Sequence, residues 1–293
     1  MSLAPVSPLS TPPEIGRPLL KWAGGKRQLL HAILQYLPAR IDTYYEPFVG
    51  GGAVFFALAA EKRFKRAVLS DQNEELIATY RAIQTRVGRV IELLSKMPHS
   101  EEAYYEIRGQ RPRSLERRAA RMIYLNRTGY NGLYRVNRAG QFNVPFGRYV
   151  NPTICDTERL LSVSKALSGV ALEVADFEQL CRKARPSDAV YFDPPYVPVS
   201  TTARFAEYHN TPFGTAEHER LAVLYKVLSE RGVGVVLSNS DTALTRRLFA
   251  DCQCTFVSAR RNINSAASRR GPTSELLVTR GPEPRRLVMG VAG

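Results

Sequence analysis

The sequence predicts an α/β protein, a doubly wound sheet interrupted by a smaller insert of helices and a β-hairpin. Three observations predict it. Short apolar runs rich in Val, Tyr and Leu alternate with longer helical segments before residue 98 and again after residue 169, and that alternation specifies βαβ units, a parallel sheet and helices on both faces. Between them lies a tyrosine- and arginine-rich stretch that breaks the rhythm. Two apolar runs, "RAVLSD" and "AVYFD", stop on an aspartate, the strand end outside which open α/β sheets bind their ligands.

Taken in order, residues 1–17 are rich in Pro and Ser and read as a disordered arm. "TYYEPFV" reads as a strand, Ala53 to Arg63 as a helix, "RAVLSD" as a strand, and Glu74 to Met97 as one or two helices. The insert spans 99–168: helical to Leu125, then turn-rich through "NRTGYNGLYRVNRAGQFNVPFGRY". Within it "LYRVNRAGQFNVPFG" has two short runs about the turn "NRAG", a hairpin pattern. The α/β rhythm then resumes with "GVALEVAD", "DAVYFD", a helix from Thr215 to Arg231, "GVGVVLSNS", a helix over Leu244 to Ala250, and the closing strands "CTFVSAR" and "SELLVTR". The expected division is a main domain of 18–98 plus 169–281, the insert, and a loose tail at 282–293.

Charge narrows the partners. The 293-residue chain carries 41 Lys+Arg against 27 Asp+Glu, a formal net charge of +14, the excess expected of a protein that meets a polyanion. The four cysteines, Cys155, Cys181, Cys252 and Cys254, have neither a disulfide framework nor a metal-site spacing. The histidines His31, His99, His209 and His218 are scattered without metal spacing. No signal-peptide pattern opens the chain, and no apolar run approaches the ~20 residues of a membrane span. A soluble, cytoplasmic protein with reduced thiols is expected.

The chemistry-bearing residues cluster in motifs. In "EPFVGGGAVFFAL", Gly50, Gly51 and Gly52 stand between a strand and a helix, where a tight turn brings backbone close to a ligand at a helix N-terminus. Asp71 then ends the next strand, where a carboxylate can hold ribose hydroxyls. Together they point to a nucleoside cofactor. Phe55 stands where a dinucleotide fingerprint needs its third glycine, which weakens NAD without excluding it. "KWAGGK" is not a phosphate loop, because Leu20 and Arg27 occupy positions that require Gly and Ser/Thr.

"VYFDPPYVP" ends its strand on Asp193, and Pro194 and Pro195 hold the following chain extended. Asp193 and the exposed Pro194 carbonyl are then two fixed acceptors beside the flat face of Tyr196. Such a trio suits a planar ring bearing an exocyclic amine. Acceptors on both amine protons favour a pyramidal nitrogen with an available lone pair, and a methyl held in line transfers to it directly. A cytosine-C5 enzyme would need a thiolate, usually after proline; these cysteines follow Ile154, Leu180, Asp251 and Gln253.

With "LLKWAGGK", "EPFVGGGAVF", "LSDQNEELI", "YLNRTGYNGLYRVNRAGQFNVPFGRY", "VYFDPPYVP", "LSNSDT" and "ARRNINSAASRRGPTSELL" in that order, the chain from Leu19 to about Arg280 resembles the Dam-type (D12 class) DNA adenine-N6 methyltransferases. The resemblance implies a Rossmann-like, S-adenosylmethionine-dependent methyltransferase sheet with a target-recognition insert. It implies an S-adenosylmethionine site at Trp22, Lys26, Phe48, Gly50, Gly52, Asp71, Asp176, Phe177 and Asp193, with Asp71 on the ribose hydroxyls and Asp176 on the adenine amine. Asp193, Pro194, Pro195 and Tyr196 map onto the catalytic motif. DNA contact is implied for Lys21, Arg127, Tyr130, Asn131, Leu133, Arg135, Asn137, Pro145 and Arg148: Tyr130 as a wedge, Leu133 and Pro145 on base edges or methyls, and Arg135 on a guanine, a role suited to its bidentate fork. Tyr134, between Leu133 and Arg135, departs from the family pattern.

Further implications are a GATC target in double-stranded DNA, a flipped adenine, and a monomeric, nucleoid-associated protein, with a cognate nuclease left open. Arg260, Arg261, Arg269 and Arg270 flank an aperiodic stretch that reads as a loop ordering on DNA phosphates. Bland readings stand beside these: a lone tryptophan is more often core than ligand contact, and Lys21 and Lys26 could be surface charge. The rival functions are a methyltransferase acting on RNA or a protein amide, a catalytically silent DNA-binding module, and a nicotinamide-dependent oxidoreductase.

Overall fold

The computed structural model describes residues 18–22, 24, 26, 29–197, 213–260 and 272–279. The N-terminal arm, the arginine-flanked loop after Arg260 and the C-terminal tail lie outside the described residues.

The strands are β1 (Ile41–Glu46), β2 (Phe64–Ser70), β3 (Ala171–Glu173), β4 (Ala189–Phe192), β5 (Gly234–Ser240), β6 (Gln253–Arg260) and β7 (Pro272–Thr279), in one sheet of order β3-β2-β1-β4-β5-β7-β6. From β3 to β5 the pairing is parallel, whereas β7 runs antiparallel to both β5 and β6. The parallel part is the predicted one. The β6–β7 pair adds an antiparallel edge to it. The strand order reverses between β1 and β4, which opens a crevice at their carboxyl ends.

The helices are α1 (Leu30–Tyr36), α2 (Ala53–Ala60), α3 (Glu74–Ser95), α4 (Glu101–Gly109), α5 (Leu115–Thr128), α6 (Thr157–Ala166), α7 (Phe177–Cys181), α8 (Thr215–Glu230) and α9 (Ala243–Leu248). Their starts are chemical. Asn73, Ser100, Asp156, Asp176 and Thr242 each accept a backbone N–H at the N-cap of α3, α4, α6, α7 and α9. Helix α3 kinks at Arg86 (φ −143°, ψ 33°), which is why its pattern reads as one or two helices.

Alternation along the strands splits the core in two. Tyr44, Leu69, Tyr191, Val236 and Leu277 point into one core, with α2 to α6; Tyr45, Val190, Phe192, Val235, Leu237 and Val278 point into the other, with α7 and α8. Tyr104, Ala119, Ile123 and Val144 of the insert belong to the first core, continuous with the sheet. The helical insert therefore shares the apolar layer on that side of the sheet, with α5 packed on α3.

The hairpin is shorter than its pattern. Its antiparallel pairing is confined to the bridges Gly129–Phe146 and Val136–Phe142, with Asn137 N–H donating to Gln141 O (2.8 Å) and Asn143 N–H to Arg135 O (3.0 Å). Gly140 (φ 70°) closes the turn, while positive φ at Asn131 (54°) and Gly132 (63°) and the missing N–H of Pro145 limit the ladder.

Candidate active site and nucleic-acid interface

Alternation also lines up the crevice. Glu46, Asp71, Asp193, Ser238 and Glu275 each lie two residues along the strand path from a residue of the first core (Tyr44, Leu69, Tyr191, Val236 and Leu277). Polar groups from adjacent strands thus share one face at the mouth of the sheet.

Asp193 is 21% exposed, and its Oδ1 takes the Lys26 ammonium at 2.8 Å and the Ser238 hydroxyl at 3.0 Å. Burial raises its pKa, opposed by Lys26 and the Ser238 hydrogen bond. Lys26 also donates to Gly24 O (2.6 Å) and lies 4.6 Å from the centroid of the Tyr196 ring. Its charge is therefore centred on Asp193 and Tyr196. The Tyr196 hydroxyl donates to Glu275 Oε2 (2.8 Å) on β7, and Val197 N–H donates to Asn239 Oδ1 (3.1 Å) on β5. Pro194 is buried and Pro195 exposed; the Pro194 carbonyl accepts no hydrogen bond among the described residues.

The glycine turn follows β1. Gly50 (φ 47°) and Gly52 (φ 70°) need the left-handed region. A Cβ on Gly50 would stand 2.8 Å from the Trp22 ring, and one on Gly52 would stand 2.9 Å from the Phe56 ring. Sequence reasoning took these glycines as ligand approach; the side chains crowding them are Trp22 and Phe56. Asp71, after β2, accepts Gly50 N–H (3.1 Å) and Asn73 N–H (3.0 Å), and burial raises its pKa against these donors. Tyr80 OH fixes the turn from below by donating to Gly50 O (2.8 Å).

Beyond β3, Asp176 caps α7 and accepts Glu178 N–H (3.0 Å) and the Arg220 guanidinium (3.0 Å). Arg220 also stacks over Phe177 at 4.9 Å. Phe48 packs on Phe177 (centroids 5.6 Å) and edge-on to Phe213 (5.5 Å). An aromatic wall flanked by two carboxylates, Asp71 and Asp176, offers stacking and hydrogen-bond acceptors that fit a purine nucleoside with a diol and an exocyclic amine.

On the insert, Tyr130 is 46% exposed, and Arg135, Asn137, Pro145 and Arg148 are exposed with it, while Asn131 and Leu133 are half-buried. Arg135 donates to Asn143 Oδ1 (2.7 Å) and Asn143 O (3.2 Å). Lys21 lies over Tyr149 at 4.8 Å and lines, with Arg127, Tyr149 and Thr153, a surface cavity of about 230 Å³. Arg127 is turned inward, donating to Leu19 O (2.9 Å). Tyr134, the departure from the family pattern, stacks on Trp22 (5.4 Å) and so joins the hairpin to the glycine turn.

Sequence reasoning assigned no role to Glu46, Asn126, Ser238, Arg220, Phe213 or Glu275. Glu46 takes the Tyr44 hydroxyl at 2.8 Å, and burial pushes its carboxyl up to about 8. Asn126 accepts Lys21 N–H and donates to Lys21 O and Gly132 O, each at 2.8 Å. Glu46, Asn126, Ser238 and Glu275 stand inside quoted motifs, and strand parity was the available signal for three of them.

Residues 22–263 match the model of the D12 class N6 adenine-specific DNA methyltransferases. The chain belongs to this family. It is an adenine-specific DNA methyltransferase whose methyl donor is S-adenosylmethionine. The D12 sequence is 41% identical over 273 residues to the type II methyltransferase M1.LlaDCHI of Lactococcus lactis subsp. cremoris, covering 90% of this chain and 95% of that one. It is 40% identical to the type II methyltransferase M.MjaIII of Methanocaldococcus jannaschii, over 87% and 95% of the two chains. It is 38% identical to the DNA adenine methylase of Escherichia coli, over 91% and 96%. Among solved structures, a precorrin-6Y C5,15-methyltransferase from Geobacter metallireducens covers 92% of this chain and 99% of that one at 10% identity, with a TM-score of 0.39, a likeness too slight to bear on function. No helix among the described residues is long and apolar enough to cross a membrane.

Proposed function

We propose that this D12 methyltransferase takes its adenine out of double-stranded DNA, within GATC, and methylates N6 between Asp193 and the Pro194 carbonyl. The observation that carries the reading is the pair of acceptors at the end of β4: Asp193 has its Oδ2 clear of hydrogen bonds among the described residues, and the Pro194 carbonyl is likewise unengaged. When bound, the sulfonium cofactor supplies an electrophilic methyl. The chain supplies position and charge. Asp193 and Pro194 accept the two amine protons, which localises the N6 lone pair, and Tyr196, anchored through Glu275, offers its face to the base.

Cofactor contact is proposed for Trp22, Lys26, Phe48, Gly50, Gly52, Asp71, Asp176 and Phe177. Asp71 and Asp176 hold the ribose hydroxyls and the cofactor's adenine amine, and Phe48 and Phe177 its ring. Residues 99–168 act as the target-recognition part. Tyr130 wedges into the duplex, Arg135 leaves Asn143 for a guanine, and Leu133 and Pro145 meet base edges or methyls. Lys21, Arg127, Asn131, Asn137 and Arg148 line the DNA-facing side. The basic balance of +14 supports a duplex partner.

The test is plasmid DNA treated with the protein and labelled cofactor, then cut with two GATC nucleases, one blocked by N6-methyladenine and one indifferent to it. Selective protection is expected. Label incorporated outside GATC, or into RNA or protein and not DNA, removes the proposal. A fluorescent 2-aminopurine placed at the target adenine should brighten on binding; no change argues against extrusion.

A further inference from the structure

Asp193 must present a fixed oxygen to the amine, yet it stands at the first irregular position after β4, where nothing in the strand ladder holds its side chain. The register supplies the holder. Tyr191 pairs with Val236 in the parallel β4–β5 ladder, and two further steps along both strands bring Asp193 opposite Ser238 on the same face. The hydroxyl there is wholly buried. It lies 3.0 Å from Asp193 Oδ1 and 2.8 Å from the Tyr191 hydroxyl.

Proton counting decides the direction of this chain. A serine hydroxyl has one proton, and an ionised carboxylate only accepts. Ser238 therefore donates to Asp193, and Tyr191, fully buried beneath it, donates to Ser238. Lys26 and Ser238 both fall on Oδ1. The two contacts leave Oδ2 without a hydrogen bond among the described residues.

We propose that Ser238, backed by Tyr191, is a positioning residue for Asp193: the Tyr191–Ser238–Asp193 relay locks the carboxylate so that its second oxygen receives the target amine. This rests on the reading of Asp193 as the acceptor. The other groups that face Asp193 are Lys26, Tyr44 and Glu46 on β1, Glu275 on β7, and Tyr196 after β4. A donated hydrogen bond favours the ionised carboxylate, so losing it moves the onset of activity to higher pH.

The experiment is single-turnover methylation of a duplex against pH for the full chain, Ser238→Ala, Ser238→Thr, Tyr191→Phe and the Ser238→Ala/Tyr191→Phe double variant, with Asp193→Asn alongside. Ser238→Ala should slow the step about 10- to 100-fold, the loss expected of one hydrogen bond to a charged group. Its acid limb should move to higher pH with DNA and cofactor affinities held, and Ser238→Thr, which keeps the hydroxyl, should restore most of the rate. Tyr191→Phe should show a smaller loss in the same direction that adds nothing in the double variant. A wild-type rate, or a slower rate with an unmoved acid limb, overturns the relay. If thermal melting finds Ser238→Ala unfolded, Tyr191→Phe decides by the same limb. An active Asp193→Asn removes the underlying reading; an inactive Asp193→Asn with an unaffected Ser238→Ala removes the relay alone.

Discussion

The crevice at the strand ends and the outer face of the insert are both built from polar side chains beside aromatic rings, but they sit in different solvents. In the crevice, Glu46, Asp71 and Asp193 are carboxyls whose pKa burial raises, and each is met by a directed donor: Tyr44 of the same strand for Glu46, the glycine turn for Asp71 and the neighbouring strand for Asp193. On the insert, Tyr130, Arg135, Asn137 and Arg148 face water, where a charge is screened and one geometry is worth little more than another. The crevice side chains are held by buried, directed hydrogen bonds, whereas the outer face of the insert is held by few. The two regions touch through Trp22, stacked on Tyr134 and pressed against Gly50, and through Asn126, which ties Lys21 to the Gly132 turn.

The largest test of this contrast is Asp193→Asn. Removing the charge from a preorganised site should cost about 10² to 10³ in single-turnover rate while DNA affinity stays near wild type; a matching loss of DNA affinity would show that the two regions are not separable. Gly50→Ala should destabilise the fold by about 1–3 kcal/mol in thermal melting, because the new Cβ meets the Trp22 ring at 2.8 Å with φ at 47°. Equal stability would mean that the contact between the regions is slack.

Arg135→Ala should lose about 1–3 kcal/mol of discrimination between GATC and a site altered at the guanine, with binding to unrelated DNA retained. A uniform loss across sequences would make Arg135 a phosphate contact. Glu46 gives a pH signature. Its carboxyl rises from an ordinary 4.5 to about 8 in the fold, so between those values the folded chain holds the proton and the unfolded chain releases it. Stability from this residue should be full below about pH 4.5 and fall as pH rises through about 8, and Glu46→Gln should flatten that slope in denaturant melts. The smallest effect belongs to Lys21→Ala, which should lower the salt dependence of DNA binding by about one phosphate contact.

The sheet was legible because its strands are short apolar runs that stop on Gly, Asp or Pro, as at Gly50, Asp71 and Asp193. The edge order was not, since nothing local tells "SELLVT" to slip between β5 and β6; that choice follows from which edge is open once the other strands have paired. The hairpin was legible through "NRAG", but its pairing is confined to isolated bridges, with positive φ at Asn131 and Gly132 before it and Pro145 within it. Tyr134 looked like a departure from a pattern and is a packing residue against Trp22. Ser238 and Glu275 stood within motifs without roles, since their use depends on strand neighbours distant in sequence.

By itself the sequence determined the alternation of strands and helices, the position of the carboxylates at strand ends and the basic character of the insert, because these are local patterns of polarity and turn chemistry. Only the tertiary structure decided that Lys26 pairs with Asp193, that Ser238 and Tyr191 stand behind it, and that Trp22 fills the space beside Gly50. Those contacts join residues far apart in the chain, and they arise from sheet order and register, which no single stretch encodes.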